Sequence, residues 1–589
     1  MAATELQNSV IADALDELAD LNELDGAIVH RVLAYRNAAR RVRESPVSVA
    51  SLAQAGKATE LPGIGATIQE KIVALQQTGT IPALVRLRER FPPELLAIMR
   101  LPGIGAKRAR LLHDQLGVDS PEALRQAALD QRVRGVKGLG PKFEQTVLEA
   151  LAADTSVQAK RRVTLPAALQ IAQEIAEELV ALGPSDAQVE IAGSIRRTVD
   201  AVKDIDLVAV TSQPQQLREA VEGLERIEAV SSSSPTGVRG RSHAGLAIDL
   251  RIAAPDQLGN LLQHFTGSGA HNAALREAAV RKGLHVSEYG VEDERSGRTL
   301  RCADEQAVYE ALGLAWIPPE LREDRGELAA AALDGGPGLP GLVTEHDIRG
   351  DLHCHTTASD GQASIQEMAA AAIQRGYGYL AITDHSASHG FGNDVSPDEL
   401  RRQIERVREC NAQLDGIELL AGSEVNVLGD GSLDYEDDLL EQLDWVVASV
   451  HTSFAMGREQ MTKRMVSAIE HPLVDAIGHP TGRLIERREP YALDLDEVFE
   501  AAARTGTLLE INGNPDRRDL PDTAARTAAA MGVRLVIDSD AHRVGTLANV
   551  RWGVATARRA WLTKNDVANT LEWPQLRALR KTRRVSHQP

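Results

Sequence analysis

The spacing of apolar residues over residues 7 to about 151 is helical and is interrupted by glycine turns, without strand-like alternation. Over residues 188–254 the pattern changes to apolar strands with intervening helix, and residues 264–322 are mixed. A Gly- and Pro-rich segment at 334–341 predicts a linker. Beyond it, short apolar strands alternate with helices. This order predicts a multidomain chain with a helical region, an α+β region and a C-terminal α/β barrel or sheet.

The length of the chain supports this division into domains, and its composition indicates the cellular compartment. The chain has 589 residues, more than the roughly 250–300 at which a single core stops growing. No apolar run reaches the roughly 18 residues of a membrane span, and the acidic, amphipathic N-terminus does not have the layout of a signal peptide. The three cysteines are too far apart in sequence for a disulfide framework. We therefore expect a cytoplasmic protein without a membrane partner.

The net charge of −19 argues mildly against a nucleic-acid partner, because phosphate binding requires Lys and Arg. The distribution of charge weakens this objection. Basic clusters lie at 36–43, 107–110 and 132–137, whereas carboxylates are concentrated in the C-terminal half. Many of these charges are equally explained as solvated helix faces.

A Leu-Pro-Gly-Ile-Gly motif occurs twice in the helical region, and a weaker Val-Lys-Gly-Leu-Gly motif follows at 136–140. Two glycines permit a tight turn whose amides are exposed at a helix N-terminus, an arrangement that binds phosphate. An ordinary helix–helix turn is the alternative, but repetition favours DNA binding. The candidate DNA-binding residues are Gly63, Gly65, Gly103 and Gly105.

Three aspartates of the central region are candidate metal ligands. Asp204 and Asp206 are two residues apart on a predicted strand and so share a face, and Asp249 lies on another strand. Close carboxylates favour two Mg²⁺ or Mn²⁺ ions, which suit nucleotide addition to a primer 3′-hydroxyl. Ser194 and Arg197, at a predicted helix start, are candidates to hold the triphosphate.

Residues 1 to about 325 resemble the DNA polymerase X family. The resemblance rests on Gly193-Ser-Ile-Arg-Arg197, Asp204-Ile-Asp206, Asp249-Leu-Arg251 and the segment His264 to Arg276. It implies that Phe265, Gly267 and Asn272 line the nucleotide pocket and that Arg276 approaches the template strand. The family usually has Tyr-Phe where this chain has His264-Phe265. This pair screens the sugar 2′ position, so discrimination against ribonucleotides is open.

The first hairpin resembles the lyase domain of the same family. Lys71 falls at the position of the Schiff-base lysine, with His30 and Tyr35 at neighbouring pocket positions. Thr67 and Arg31 stand where lysines are usual. Lys71 is therefore a candidate lyase nucleophile or a contact to DNA phosphate, and both roles remain open.

The C-terminal half contains many histidines and carboxylates, most at the ends of predicted strands, where βα barrels build their sites. The pattern is unlike isolated structural histidines and predicts a metal centre. The candidate ligands are His353, His355, Asp360, His385, Glu424, His451, His479, Asp540 and His542.

Residues 348 to about 570 resemble the polymerase-and-histidinol-phosphatase (PHP) domain, a distorted seven-stranded barrel with a trinuclear site. The resemblance implies one ion on His353, His355, Glu424 and Asp540, a second shared by Glu424 with His451 and His479, and a third on Asp360, His385 and His542. Mn²⁺ is favoured, with Zn²⁺ or Fe as alternatives. Arg483 and Arg517 are candidate clamps for a substrate phosphate, or equally salt-bridge partners.

The order of parts resembles bacterial X-family polymerases with a C-terminal PHP domain. The implied function is filling of short gaps during DNA repair, including base excision repair, with a PHP 3′→5′ exonuclease and abasic-site cleavage in some members. We expect a monomer that binds gapped or nicked duplex DNA and dNTPs. The alternatives are a small-molecule phosphatase fused to a DNA-binding module and a non-catalytic DNA-end scaffold. The predicted domains are lyase-like 1–85, helix-hairpin-helix 86–155, palm 156–260, thumb 261–325, linker 326–347, PHP 348–575 and a basic tail 576–589.

Overall fold

The computed structural model describes residues 5–101, 103–152, 162–390 and 393–581. Pro102 of the second hairpin motif and Arg583 and Arg584 of the expected basic tail lie outside this range. The chain divides into two compact units. The first unit comprises residues up to 163, 167–191 and 203–253, and the second comprises 164–166, 192–202 and 254 onwards.

The N-terminal part of the first unit is helical, as predicted. The expected domains 1–85 and 86–155 share one hydrophobic core, which extends from Ile11 to Val147. Their helices therefore pack as one body. The α-helices are Asn8–Leu24, Val29–Glu44, Val49–Gln54, Ala66–Thr78, Pro82–Arg88, Pro93–Met99, Gly105–Leu116, Pro121–Leu129 and Pro141–Ala152.

The rest of the first unit is built on a mixed sheet that has five strands in the described residues. Asp204–Val210 and Ala247–Ala253 pair in parallel at its centre, and the other pairs are antiparallel. Helices Leu165–Leu182 and Pro214–Glu222 accompany the sheet. The strands in spatial order are Gln188–Ile191, Asp204–Val210, Ala247–Ala253, Gly237–Ser242 and Ile227–Ser234.

The second unit begins with a thumb-like region around a core of Leu275, Val308, Tyr309 and Ile317. The expected linker 326–347 is folded: Glu327 is fully buried and accepts a hydrogen bond from His271. The elements are helices Gly193–Arg196, Leu258–Thr266, Gly269–Val280, Glu305–Ala311 and Glu327–Ala330, and strands Leu284–Ser287, Gly290–Asp293 and Arg298–Leu300. Two-residue strands also occur at Val163–Thr164 and Ala201–Val202.

The C-terminal region is the predicted α/β barrel, with seven parallel strands in the part of the chain described. The spatial order of the strands follows their order in the chain. The first and last strands of the sheet meet just beyond their ends, through a parallel β-bridge between the backbones of Cys354 and Ala541. The strands are Gly350–Asp351, Tyr379–Ile382, Glu418–Asn426, Trp445–Ser449, Ala476–Ile477, Leu508–Asn512 and Leu535–Asp538. The helices are Ile365–Gln374, Pro397–Asn411, Asp437–Leu440, Arg458–Glu470, Leu495–Thr505, Asp522–Ala530, Val550–Arg559 and Trp573–Leu579.

The helix Trp573–Leu579, which contains the start of the expected basic tail 576–589, packs against the barrel. Trp573 and Leu576 are buried in one cluster with Trp445. Arg580 forms a bidentate ion pair with Asp475 at 2.7 and 2.8 Å. These contacts cover one end of the barrel interior. None of the helices in the described ranges has the length and apolar character needed to cross a membrane.

Candidate metal centres

The barrel brings all nine predicted ligands of the C-terminal half to one end. Parallel strands in a barrel end at the same face, so side chains at or just beyond their carboxyl ends converge. Glu424 lies within a strand, and the histidines and Asp540 lie just after strand ends. The Asp360 turn is held by the Gly361 amide, which donates to the Thr356 carbonyl at 2.9 Å.

Glu424 is the centre of this arrangement. Its Oε2 lies 3.4 Å from His353 Nε2, 3.7 Å from His355 Nε2 and 2.8 Å from His385 Nδ1. Its Oε1 lies 3.2 Å from His451 Nε2 and 2.9 Å from His479 Nε2. The two oxygens thus face two different groups of imidazoles, the geometry of a bridging carboxylate.

Two further carboxylates complete the cluster. Asp540 Oδ1 lies 3.3 Å from His355 Nε2 and 3.9 Å from His353 Nε2. Asp360 lies 3.6 Å from His385 Nε2 and 3.3 Å from His542 Nε2. Three sets of these groups bring their ligand atoms within 4.8 Å of one another, each with a geometry that could hold an ion.

The chemistry of the donor set fits divalent cations. Both Glu424 oxygens, His355 Nδ1 and Nε2, and His353 Nε2 are buried atoms without a hydrogen-bond partner. Buried polar atoms are normally hydrogen-bonded or bound to a metal, and a mixed N/O set suits Mn²⁺, Zn²⁺ or Fe. The assignment of ligands to individual ions stays a prediction.

The ionisation of the cluster points the same way. Burial acts to raise the pKa of the Glu424 carboxyl, but His451, His353 and His385 lower it well below its usual value. Burial opposes protonation of His385, but Glu424 and Asp360 raise its pKa to about 10. The carboxylates therefore stay charged while imidazoles share protons, and cations can replace those protons.

Two groups beside the cluster were missed by the sequence interpretation. His353 Nδ1 donates to Glu510 Oε1 at 2.7 Å, and the His479 amide donates to Glu510 Oε2 at 2.5 Å. The ring of His389 stacks on His385 with 4.1 Å between centroids. A carboxylate within the apolar strand Leu508–Asn512 was the available signal for Glu510.

The two candidate phosphate clamps differ in their contacts. Arg517 Nε lies 3.5 Å from Asp540 Oδ2, and its Nη1 is buried without a hydrogen-bond partner. Arg483 instead pairs with Asp200 at 2.8 Å and donates to the Arg518 carbonyl oxygen. Arg517 is thus directed at the cluster, whereas Arg483 is occupied by an ion pair.

The palm sheet places the central aspartates on neighbouring strands. Asp206 lies opposite Asp249 in the parallel register, and Asp204 shares its face with Asp206. Arg239 Nε lies 3.2 Å and Arg251 Nε 2.8 Å from the Asp249 carboxylate. These arginines offset part of the repulsion among three half-buried carboxylates, and the oxygen donor set suits Mg²⁺ or Mn²⁺.

In the second unit, Arg197 packs against the turn at Gly267. Its Nη1 donates to the Thr266 carbonyl and its Nε to Glu323 at 3.1 Å. Gly267 has a φ of +69°, and a Cβ there would lie 3.1 Å from Arg197 Nη1. The turn therefore requires glycine, and Ser194 lies on the same short helix as Arg196.

The other predicted nucleotide-pocket residues gather around His264. Asn272 donates from its amide to the His264 carbonyl at 2.7 Å, and Arg276 Nη2 lies 3.3 Å from His264 Nδ1. The Phe265 ring lies 4.9 Å from the His264 ring. Phe265, Asn272 and Arg276 thus each contact His264, and their roles in nucleotide and template binding stay a prediction.

The three glycine motifs form the same turn. Ile64, Ile104 and Leu139 are buried, and each amide donates three residues back, to Leu61, Leu101 and Val136. The first glycine of each motif has a positive φ, 88° at Gly63, 81° at Gly103 and 90° at Gly138. In all three copies the turn leads into a helix.

The side chain of Lys71 lies beside two of its expected neighbours. Its Nζ donates to the Thr67 carbonyl at 3.4 Å and lies 5.9 Å from the Tyr35 ring centre.

The three cysteines are free and buried, and Cys354 Sγ turns away from the histidines to the Ala381 carbonyl at 3.2 Å.

Models of known protein families match four regions of the chain. A DNA polymerase beta thumb model matches residues 261–323 and a PHP domain model residues 351–514. Two helix-hairpin-helix models, one a single domain and one a SAM-like tandem, match 6–81 and 94–153.

Whole-chain similarity gives the same result. The chain is 36% identical to the DNA polymerase/3′-5′ exonuclease PolX of Bacillus subtilis over 569 residues, 96% of this chain and 98% of that protein. It is also 31% identical to a probable phosphatase of a Thermoanaerobacter species over 238 residues, 37% of this chain and 89% of the relative. A probable phosphatase of Shewanella oneidensis is 32% identical over 207 residues, 33% of this chain and 75% of the relative. The chain belongs to the family of X-family DNA polymerases with a C-terminal PHP domain, which PolX represents.

Proposed function

We propose that this protein is a DNA-repair polymerase that fills short gaps and carries a separate, metal-dependent 3′→5′ exonuclease in its barrel. The observation that carries this proposal is the presence of two distinct acidic sites. Asp206 and Asp249 lie opposite each other on palm strands, and nine candidate ligands, Glu424 among them, converge in the barrel.

In the polymerase site, Asp204, Asp206 and Asp249 would hold two Mg²⁺ or Mn²⁺ ions. Bound cations at both sites supply charge neutralisation at the reacting phosphorus and activation of the nucleophile. Ser194 and Arg197 hold the triphosphate, because the exposed amides of a helix start and a guanidinium both bind phosphate oxygens. The group of Phe265, Asn272 and Arg276 receives the nucleotide.

In the barrel site, the nine candidate ligands would hold three divalent ions, with Mn²⁺ favoured. Arg517 lies beside the ligand Asp540 and has a buried Nη1 without a hydrogen-bond partner, so its guanidinium can bind oxygens of the substrate phosphate. Burial of most ligands excludes bulk water, so electrostatic stabilisation of the phosphate is strong. Cleavage at abasic sites would use the same residues.

The hairpins position the enzyme on gapped or nicked duplex DNA through phosphate contacts that do not read sequence. Their repeated turn exposes the glycines 63, 65 and 103 at the surface. dNTPs are the second substrate. The protein acts as a monomer in the cytoplasm.

Reciprocal substitutions test the two-site proposal. Asp206→Ala is expected to abolish dNTP addition on gapped DNA and to leave Mn²⁺-dependent trimming of 3′ ends intact. His353→Ala is expected to do the reverse. Both activities are measured on one labelled gapped duplex, with Mg²⁺ and Mn²⁺ supplied separately. Loss of both activities in either variant would exclude two independent sites.

Lys71 has two proposed roles, as a Schiff-base nucleophile and as a contact to DNA phosphate. Lys71→Ala distinguishes them. Loss of sugar-phosphate release with retained affinity for gapped DNA supports the lyase role. An unaltered release rate eliminates it, and weaker DNA binding then supports the phosphate contact.

Similarity of the barrel to probable phosphatases favours one second candidate, hydrolysis of a small phosphate monoester. The helix-hairpin-helix region argues for DNA, because a small substrate has no use for repeated phosphate-binding turns. Comparing hydrolysis of histidinol phosphate with removal of primer ends decides between them. Faster hydrolysis of the small substrate would support the phosphatase. Failure of primer extension by the intact protein would support a non-catalytic scaffold for the first half.

A further inference from the structure

The turn after the short helix Gly193–Arg196 has a conformation that its own sequence does not explain. The amides of Thr198 and Val199 donate to the carbonyl oxygens of Ile195 and Ser194, which closes the end of the helix. Thr198 has a φ of 55°, which is unfavourable for a β-branched residue. Such a conformation persists when surrounding structure fixes it.

Residues of the barrel provide that surrounding structure. Arg518 Nη1 donates to the Thr198 carbonyl at 3.0 Å. The Asp200 carboxylate lies between two barrel arginines, with Oδ1 3.1 Å from Arg518 Nη1 and Oδ2 2.8 Å from Arg483 Nη2. In addition, Arg559 Nη1 donates to the Arg197 carbonyl oxygen at 2.7 Å.

These contacts stabilise the structure because the arginine side chains that form them are fully or largely buried. Arg518 is fully buried, its Nε donates to the Thr556 hydroxyl at 2.9 Å, and the Arg483 side chain is 14% exposed. A guanidinium in this environment requires a carboxylate and hydrogen-bond acceptors, because desolvation of an unpaired cation is costly. Asp200 is the carboxylate that the two arginines share. The turn and the two arginines therefore stabilise one another.

The two arginines belong to loops at the ligand-bearing end of the barrel. Arg483 follows the ligand His479 by four residues, and its Nη2 also donates to the Arg518 carbonyl. Arg518 is adjacent in sequence to Arg517, which lies beside Asp540. The turn after the nucleotide-binding helix is thus attached to the loops that carry the exonuclease site.

We propose that Asp200, Arg483 and Arg518 form a positioning cluster, through which the barrel fixes the turn that carries Ser194 and Arg197 for binding of the nucleotide triphosphate. This assignment rests on the polymerase function proposed above. It makes the barrel a structural component of the polymerase, and it gives Arg483 a role other than phosphate binding.

The test uses the full-length chain with Asp200→Asn, which removes the charge and keeps the side-chain size. Hydrogen–deuterium exchange in peptides covering 193–202 is expected to be about 10-fold faster. The KM for dNTP on gapped DNA is expected to rise about 10-fold with kcat within about 2-fold, because positioning of the bound triphosphate is lost and the palm aspartates are untouched. Asp200→Glu keeps the charge and is expected to restore most of the wild-type KM.

Two further variants provide a graded response and a control. Arg483→Gln leaves the buried pair of Asp200 and Arg518 in place and is expected to raise the dNTP KM by only about 3-fold. Glu320→Gln removes the negative charge from another ion pair between the thumb region and the barrel, in which Arg558 Nε lies 2.7 Å from Glu320 Oε1. It is expected to leave the dNTP KM unchanged. An equal rise in Asp200→Asn and Glu320→Gln would indicate general loosening and would overturn the proposal.

The remaining outcomes are also decisive. Unchanged exchange in Asp200→Asn would show that the cluster does not hold the turn. Faster exchange with an unchanged dNTP KM would show that the turn does not position the nucleotide. Absence of gap filling by the wild-type protein would overturn the polymerase function instead, and the exchange measurement alone would then decide whether the cluster holds the turn.

Discussion

At the scale of single residues, the barrel site depends on carboxylates that each contact several imidazoles. Glu424 faces five of them, and Glu510 supports two of the same residues from behind. The Glu510 carboxylate fixes which nitrogen of His353 carries the proton, leaving Nε2 directed at Glu424 and Asp540. Such outer carboxylates orient ligands and increase their basicity.

Glu510→Gln therefore tests the importance of this support. The variant keeps a hydrogen-bond acceptor but loses the charge, and we expect Mn²⁺ affinity to fall by about 10- to 100-fold with the fold retained. Isothermal titration of the metal-free protein measures the affinity. Glu418→Gln, at an exposed position at the start of the strand that carries Glu424, is the matched control and should bind Mn²⁺ like the wild type. Equal affinities for all three proteins would contradict a supporting role.

The sequence predicted the nine candidate ligands but not their supports, for a physical reason. Histidines and acids at the ends of apolar segments stand out against their surroundings. Glu510 lies within such a segment, and only barrel closure determines that it faces His353 and not the outer helices. Asp351 and Asp538 were missed for the same reason. Burial raises the pKa of the Asp351 carboxyl to about 6. The Asp538 carboxylate accepts a hydrogen bond from the Leu352 amide, 186 residues earlier in the sequence.

At the scale of elements, the hairpins repeat one turn with one backbone requirement. Gly63 has a φ of +88°, and a Cβ there would meet only the Arg41 side chain at 3.8 Å. The position therefore has space for the alanine methyl group. Its positive φ is unfavourable for alanine, however, so the substitution should lower the free energy of unfolding by about 1 kcal/mol. If the turn relaxes to relieve this strain, its amides are displaced and phosphate binding should weaken.

Gly63→Ala is expected to weaken binding to gapped DNA by about 5- to 10-fold, corresponding to about 1 kcal/mol. Gly56→Ala is a matched control, because Gly56 also has a positive φ, +74°, with nothing near its Cβ, and it lies outside the repeats. Both variants should lose similar stability, and only Gly63→Ala should lose affinity in fluorescence-anisotropy titrations at fixed salt. Equal losses of affinity would argue for an ordinary helix–helix turn.

The thumb region depends on a buried carboxylate between two arginines. Glu305 accepts hydrogen bonds from Arg196 at 2.7 and 2.8 Å and from Arg322 at 2.6 and 3.2 Å. Burial acts to raise the pKa of Glu305, but the two arginines lower it to about 2. Because the folded-state pKa lies below the usual value of 4.5, the carboxylate stabilises the fold fully above pH 4.5.

Glu305→Gln is expected to lose about 3 kcal/mol of stability at pH 7, since the variant leaves the buried Arg322 without its carboxylate. The difference from wild type should shrink as the pH falls from 4.5 towards 2, where the wild-type carboxyl becomes protonated. Urea-dependent proteolysis of the thumb at pH 7 and at pH 3.5 measures it. Glu277→Gln, in an exposed pair with Arg281, should change stability little at either pH. A gap that does not narrow at low pH would contradict the ion-pair explanation.

Glycine-rich composition predicted a linker where the structure has packed chain. Glu327 is buried beside His271, and Leu339 and Leu342 pack on the thumb core. Local composition detects the turns of such a segment but not the distant residues that receive it. The shared core of the two expected N-terminal domains has the same cause, because helix periodicity does not reveal which helices pack together.

At the scale of the whole molecule, the net charge of −19 is compatible with DNA binding because the charges are unevenly distributed. Basic clusters lie in the helical region, and carboxylates are concentrated in the C-terminal half. In the barrel, the buried carboxylates of Glu424 and Asp540 and the more exposed one of Asp360 repel one another unless protons or cations lie among them. Metal binding should therefore contribute to the stability of the barrel as well as to its chemistry. The hairpins, which carry none of the proposed metal ligands, should be much less sensitive to metal.

Removal of metal tests this division. At a free Mn²⁺ concentration 100 times the Kd, each bound ion adds about 3 kcal/mol to the stability of the folded barrel, which raises its Tm by about 5–10 °C. Calorimetry with EDTA and with Mn²⁺ should accordingly show one transition that moves with metal and another that stays. His355→Ala should abolish the movement, whereas His471→Ala, at a half-buried barrel histidine outside the cluster, should retain it. Because imidazoles such as His385 hold protons that cations must displace, the same shift should be smaller at pH 6 than at pH 8. A shift of equal size in His355→Ala would place the stabilising ions elsewhere in the chain and contradict the assignment of the barrel cluster.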